Sequence, residues 1–309
     1  MQHVIFCSDA LDGIAAAAIV GRALRLHGRE WKLGAVISPA EDKPLGIITQ
    51  AKGDSIYLLD IHPKSLGPMK DVLAALTQHN KIAYWCSDMP CKDDAVELIR
   101  GSALAADVFA DRTPFCSSEL AQARFLPNDA TAQMLASMAR DIKLWRRSDE
   151  KALKLADAIA SGYDRRQLVD SFSKGVIWSP ALETARKEYL QKKEKALQDL
   201  AKHITIKDYV GIKFGFTLAA NLLPSADACQ HLLDTHVAID VATVIYRDGR
   251  IVFRRRDGVN IDLEEVATLF DGGGREYASG GKIHATVSGE NFEKILFNID
   301  RTLKDHFLR

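Results

Sequence analysis

Near the start of the chain four short β-rich runs, His3–Cys7, Leu33–Ile37, Ser55–Asp60 and Lys81–Cys86, alternate with helical stretches over Gly13–His27, Ser65–His79 and Asp93–Arg100. This rhythm constrains the fold more than any other feature. Parallel strands need crossovers of a dozen or more residues, and each crossover helix must cover a sheet face. The amino-terminal part is therefore predicted to be an α/β domain on a parallel sheet. Helical stretches without intervening strands, Ser117–Phe125, Asn128–Asp141 with Asn128 as N-cap, Asp149–Ser161 and Asp164–Ser173, close that domain.

Ser179–His203, entered through Pro180 and rich in Lys, Glu, Ala and Leu, reads as one long solvated helix. It divides the chain into a first domain over 1–178, a linker helix over 179–203 and a smaller α+β domain over 204–309. In the last, Ile204–Thr217, Val237–Tyr246 and Arg250–Arg256 read as strands, the latter two joined through Arg247-Asp248-Gly249 as a hairpin, with helices at Ser225–Leu233 and Leu263–Phe270. A chain of 309 residues exceeds what one core organises, which agrees with two domains. The second domain's alternating strands can pair subunits in a homodimer or pack on the long helix.

A formal net charge of zero gives no global attraction to nucleic acid or membrane, so any contact with nucleic acid is local. The five cysteines are odd in number and form no C-x-x-C pair, which fits reduced thiols in a cytoplasmic protein. The opening Met-Gln-His-Val-Ile-Phe lacks a basic region, and the apolar run Ile14–Val20 is far shorter than a membrane span, so no membrane association is expected.

Residues 271–280, Asp-Gly-Gly-Gly-Arg-Glu-Tyr-Ala-Ser-Gly, expose unhindered backbone N–H groups at Gly272, Gly273 and Gly274, with the Arg275 guanidinium beside them. Such a loop can wrap a phosphate; the alternative is a tight glycine turn between a helix and a strand. In an open parallel sheet, ligands sit beyond the strands' carboxyl ends. Asp9 and Asp12 follow the first strand, Asp60 ends the third and Asp88 follows the fourth. Carboxylates converging there repel one another unless a cation lies between them, and hard oxygen donors select Mg²⁺ or Mn²⁺. The alternative for any single Asp is a helix cap or a turn. His62, beside Asp60, is either a further donor or a loop histidine without a metal.

The stretch Asp234–Ala285, with Thr-His-Val-Ala-Ile-Asp-Val-Ala, Arg254-Arg255-Arg256 and the triple glycine, resembles the DHHA1 domain of the DHH phosphoesterase superfamily, whose signature is Gly-Gly-Gly-His. Val4 to Ala18 resembles the first DHH motif. The resemblance implies an amino-terminal parallel-sheet DHH-like domain and a smaller DHHA1-like domain. Asp9, Asp12, Asp60, Asp88 and Asp141 then become candidate ligands of Mn²⁺ or Mg²⁺, and Asp12 and Asp60 the candidate catalytic residues. Arg255, Gly272, Gly273, Gly274 and Arg275 become candidate substrate contacts, with Arg255 placed to within one position. The chain departs from the pattern in three places. Ser87-Asp88-Met89 stands for Asp-His-His, Asp9-x-x-Asp12 for Asp-x-Asp, and Arg275 for the histidine after the glycines. One metal ion or none then becomes an option. Two functions follow as expectations: a diverged phosphoesterase that cleaves a nucleotide or short oligonucleotide phosphodiester in the inter-domain cleft, or a non-catalytic nucleotide-binding or regulatory protein that has lost its metals.

Overall fold

The computed structural model describes residues 2–38, 45–51, 55–62, 66–87, 93–108 and 116–308, so Asp88 and Met89 lie outside the described residues. The chain divides into two compact units, Met1–Arg186 and Lys187–Arg309.

The first unit holds five strands, β1 (His3–Ser8), β2 (Trp31–Ile37), β3 (Ser55–Leu59), β4 (Ile82–Ser87) and β5 (Ala105–Val108), in a parallel sheet of order β2-β1-β3-β4-β5. The parallel-sheet expectation is borne out, and β5 is an addition to it. Alternation of side chains sorts each strand between two cores. Ile5, Cys7, Tyr57, Leu59, Tyr84 and Cys86 face α1 (Leu11–Leu26) and the helices after β5. Val4, Phe6, Ile56, Leu58, Ala83 and Trp85 face the opposite way, with Val72 and Leu76 of the helix between β3 and β4. α1 is buried nearly all round. Its Ala15–Ala18 run lets the sheet on one side, and α5 (Ser117–Phe125), α6 (Ala130–Lys143) and α8 (Arg165–Ser173) on the other, approach closely. The helices α2 (Leu45–Thr49), α3 (Met69–His79), α4 (Asp93–Arg100) and α7 (Glu150–Ala160) complete the unit. Asp129, rather than Asn128, caps α6, because the Asp129 carboxylate accepts from Ala132 N and also binds the Arg22 guanidinium. The strand order reverses between β1 and β3, which places the topological switch point at Ser8 and Asp60.

Helix α9 (Pro180–Lys202) runs across the division between the units. The second unit carries a six-stranded sheet, order β10-β11-β9-β8-β7-β6, in which only β7 and β8 are parallel. The run Ile204–Thr217, expected as one strand, is a hairpin of β6 (Thr205–Tyr209) and β7 (Ile212–Ala219). Val210 and Gly211 both take positive φ (55° and 86°), the backbone a two-residue turn requires. Helix α10 (Ser225–Thr235) connects β7 to β8 (Val241–Tyr246), and α11 (Leu263–Thr268) follows β9 (Arg250–Arg255). One sheet face packs Phe214, Phe216 and Phe253 against α11 and α12 (Phe292–Phe307); the other packs Val244 and Tyr246 against α10. The triple glycine is not a free loop. Gly273–Arg275 form β10, an edge strand paired with β11 (Ala278–Lys282).

Candidate functional site

The switch point of the first unit is organised around two carboxylates. Asp12 lies in the first turn of α1 and is 3% exposed. Its Oδ1 accepts from Ser118 N at 2.8 Å and its Oδ2 from Ser117 N at 2.9 Å. These are the first free N–H groups of α5, so Asp12 caps a helix far away in sequence and takes the favourable end of its dipole. Asp60 follows β3 in a left-handed conformation (φ 55°), and its N–H extends the β3–β4 ladder to Cys86 O at 2.8 Å. Such a backbone is costly for a non-glycine residue and persists where its surroundings over-determine it. The surroundings here are Ser8, whose hydroxyl donates to Asp60 Oδ2, and Ser117, whose hydroxyl donates to Oδ1 at 3.0 Å. A Cβ on Gly13 would lie 2.2 Å from Ser8 Oγ, so glycine is what lets α1 begin this close to the site.

Lys143, the last residue of α6, supplies the cation. Its Nζ is 2.5 Å from Asp12 Oδ2 and 3.1 Å from Asp60 Oδ1, and its side chain is 18% exposed. Burial, the largest influence, raises the Asp12 carboxyl, but the Lys143 ammonium and the Ser118 donors outweigh it and hold the group below the usual carboxylate range. The two acids the sequence picked out are thus brought together, around an ammonium group.

Of the other expected ligands, Asp141 does not join them. Asp141 is two residues before Lys143, roughly 200° round the helix, so the two side chains leave α6 on opposite sides. Asp141 Oδ1 accepts from Ser148 N at 3.0 Å and Ser148 Oγ at 2.6 Å, which offset the effect of burial and lower its pKa, while its buried Oδ2 has no hydrogen-bond partner among the described residues. That carboxylate secures the segment after α6, where Trp145 and Arg147 both take positive φ and the Arg147 guanidinium stacks 4.5 Å from the Trp145 ring. Asp9 follows β1 and donates its N–H to Ile37 O. Asp88 lies outside the described residues. Among the described residues no three His, Cys, Asp or Glu side chains are grouped as a metal would need. Both oxygens of Asp12 and of Asp60 already serve serine, backbone or lysine donors, so this donor set does not fit a two-metal centre. Neither Cys7 nor Cys116 supplies a thiolate. Burial pushes the Cys7 thiol far above its ordinary value, as Asp60 and Asp9 also do, and burial and Asp12 raise Cys116 similarly.

The second unit has a cavity of about 310 Å³ lined by Gly273, Gly274, Ser279, Arg254, Cys229 and the start of α10 at Ser225, among others. Strand alternation decides which arginine faces it. Arg254 shares a sheet face with Val252, on the α10 side. Arg255 points the other way, toward Val259 O and, at 3.5 Å, Glu276. Arg256 donates to the carbonyls of Ile239, Leu233 and His236. Gly272 and Arg275, both expected at the ligand, are not among the lining residues; Arg275 donates to the Tyr277 hydroxyl at 2.9 Å. Gly274 has φ 152°, and a Cβ there would lie 2.6 Å from Ser279 Cα, so β10 can lie on β11 only with glycine at this position.

No protein-family model matches the sequence, and no curated protein matches it. Solved structures do match. The DHH domain of a member of a family of ribosomal proteins superposes with TM-score 0.66 at 13% identity, over 98% of this chain and 87% of that one. RecJ from Thermus thermophilus, in complex with Mn²⁺, gives TM-score 0.65 at 12% identity over the whole of this chain and 52% of its own. The pGpG-specific phosphodiesterase PggH from Vibrio cholerae gives TM-score 0.57 at 5% identity over 99% of both chains. The likeness is one of fold: a parallel sheet followed by a mixed sheet, as in the DHH-domain and RecJ structures.

Proposed function

We propose that this chain is a non-catalytic nucleotide-binding protein on the DHH/DHHA1 fold. It would bind a phosphate of a nucleotide or short oligonucleotide in its second unit, and its first-unit acids would be bridged by Lys143 instead of a divalent ion. The observation that carries this is the Lys143 ammonium seated between Asp12 and Asp60. It offsets part of the repulsion that a divalent ion would offset, and it is tethered, so a metal must displace it as well as the serine and backbone donors. The phosphate reading is supported by the cavity that joins Arg254 to the Gly273–Gly274 strand and the start of α10, since a guanidinium and unhindered backbone are suited to phosphate oxygens. That PggH is specific for pGpG makes dinucleotides the first ligands to test.

Calorimetric titration of metal-stripped protein with Mn²⁺ is expected to show no binding. Micromolar binding that Asp60→Asn abolishes would overturn the metal-free reading and restore the metal-dependent phosphodiesterase. Equilibrium dialysis with pGpG is expected to show binding that Arg254→Ala weakens about tenfold or more, the worth of one charge-assisted phosphate contact. Unchanged affinity would refute the second-unit site.

A further inference from the structure

At the far end of the first unit from the acid site, a second and larger cavity of about 520 Å³ lies beside the edge strand β2. Its lining is strongly basic: Arg25, Arg29, Lys32 and Arg166, against the acids Glu30 and Asp170. The local backbone explains why the charges collect here. Helix α1 stops at a left-handed Gly28 (φ 66°), Arg29 N closes the turn on Leu24 O at 2.9 Å, and the chain immediately re-enters the sheet at Trp31. Arg166 of α8 lays its guanidinium along the open edge of β2, donating to Leu33 O at 2.8 Å and Gly34 O at 3.1 Å, which also protects that edge from pairing. Asp170 is already compensated by Arg25 at 3.2 Å and Lys174 at 2.5 Å. Arg29 and Lys32 are exposed and, among the described residues, neither is in an ion pair. The cavity therefore carries positive charge that its own acids leave unmatched.

Trp31 adds an aromatic surface. Its indole packs on α1 at Gly21, where a Cβ would come within 2.6 Å of the ring, and it lines the same cavity half-buried. A bare phosphate would fill only a small part of this volume, whereas cavities of ~300–1,000 Å³ suit ligands of nucleotide size. We propose that this cavity is a second ligand site, which holds a nucleotide with its phosphate against Arg29 and Lys32 and its base against Trp31. Cations that track phosphate beside a stacking aromatic are the chemistry of nucleotide and single-strand recognition, and stacking tolerates any base. The nucleotide is either free or the terminal unit of a strand, which share this chemistry. The site is independent of the second-unit cavity, in residues and in the test below.

The test uses the full chain carrying Arg254→Ala, so that the second-unit cavity contributes only weakened binding, and equilibrium dialysis with ATP, with 5′-phosphorylated oligo(dT) and with inorganic tripolyphosphate. One site per chain is expected for ATP or the oligonucleotide; the tighter of the two identifies the source. Arg29→Glu with Lys32→Glu, both at exposed positions, should weaken it tenfold or more. Trp31→Leu should weaken ATP and oligonucleotide about tenfold and leave tripolyphosphate unchanged, with Trp31→Phe retaining affinity as the check on folding. Two phosphate contacts give the oligonucleotide a slope of log K against log salt of roughly −1.4. Absence of binding to the Arg254→Ala chain, affinity that survives the double charge reversal, or tripolyphosphate bound as tightly as ATP would each overturn the proposal.

Discussion

Replacing Lys143 by Met removes the ammonium while keeping an unbranched side chain of similar length. Asp12 and Asp60, 3% and 9% exposed as the residue and the side chain respectively, are then left as two adjacent carboxylates without a cation. Removing one partner of a buried ion pair costs about 3–5 kcal/mol. Here the serine and backbone donors stay in place, so we take the lower end, about 3 kcal/mol. For a unit of this size that is a fall in Tm of roughly 6–12 °C. All four tryptophans, Trp31, Trp85, Trp145 and Trp178, lie in the first unit, so urea unfolding followed by tryptophan fluorescence reports on that unit alone. The deficit depends on pH with a fixed sign. In the wild-type protein the folded Asp12 pKa is below its unfolded value, so its contribution is complete above the unfolded pKa and is lost as pH falls through the folded one. In the variant, burial acts on Asp12 without the Lys143 ammonium against it, so its folded pKa rises relative to the wild type and protonation costs the fold less. The difference between the two proteins should be largest at pH 7 and shrink steadily toward pH 4. A deficit below ~1 kcal/mol that is the same at both pH values is what an exposed pair gives, and would refute the assignment of Lys143 as the cation of this site.

Three further outcomes follow from the same geometry. Acid unfolding of the wild-type first unit should set in below about pH 4, because Asp12 and Asp141 both titrate below the usual carboxylate range; a fluorescence transition that begins near pH 6 would assign it to other groups. Gly274→Val should destabilise the β10–β11 pairing and abolish pGpG binding in the second unit while leaving tryptophan-monitored unfolding of the first unchanged, since its Cβ would meet Ser279 and Ala278 backbone under 3 Å away. Phe172→Ala, at a 1% exposed position of α8 in the core under α1, should cost the first unit about 3–5 kcal/mol; a loss under 1 kcal/mol would mean that the helices after β5 are not part of its cooperative core.

Features that depend on local pattern were legible in the amino-acid sequence. Period-two runs separated by helical stretches specify parallel strands with covered faces, and an acid directly after a strand lies at the sheet's carboxyl end whatever the rest of the chain does. Asp12 and Asp60 were therefore legible. A positive-φ turn at Val210-Gly211 was not, because valine seldom adopts that backbone and the strand-like composition runs straight through it. The cation between the acids came from tertiary packing. Lys143 is 131 residues from Asp12 and 83 from Asp60, and a lysine in the last turn of a helix ordinarily complements the helix dipole, so nothing local distinguishes this one. Likewise Asp12 takes its role as a cap from α5, which arrives only through the packing of helices on α1. Arg254 rather than Arg255 faces the second-unit cavity because a strand's faces are assigned by where its partners and covering helices lie, and one position reverses the answer. Periodicity is a property of neighbours in sequence; charge compensation and facing are properties of neighbours in space.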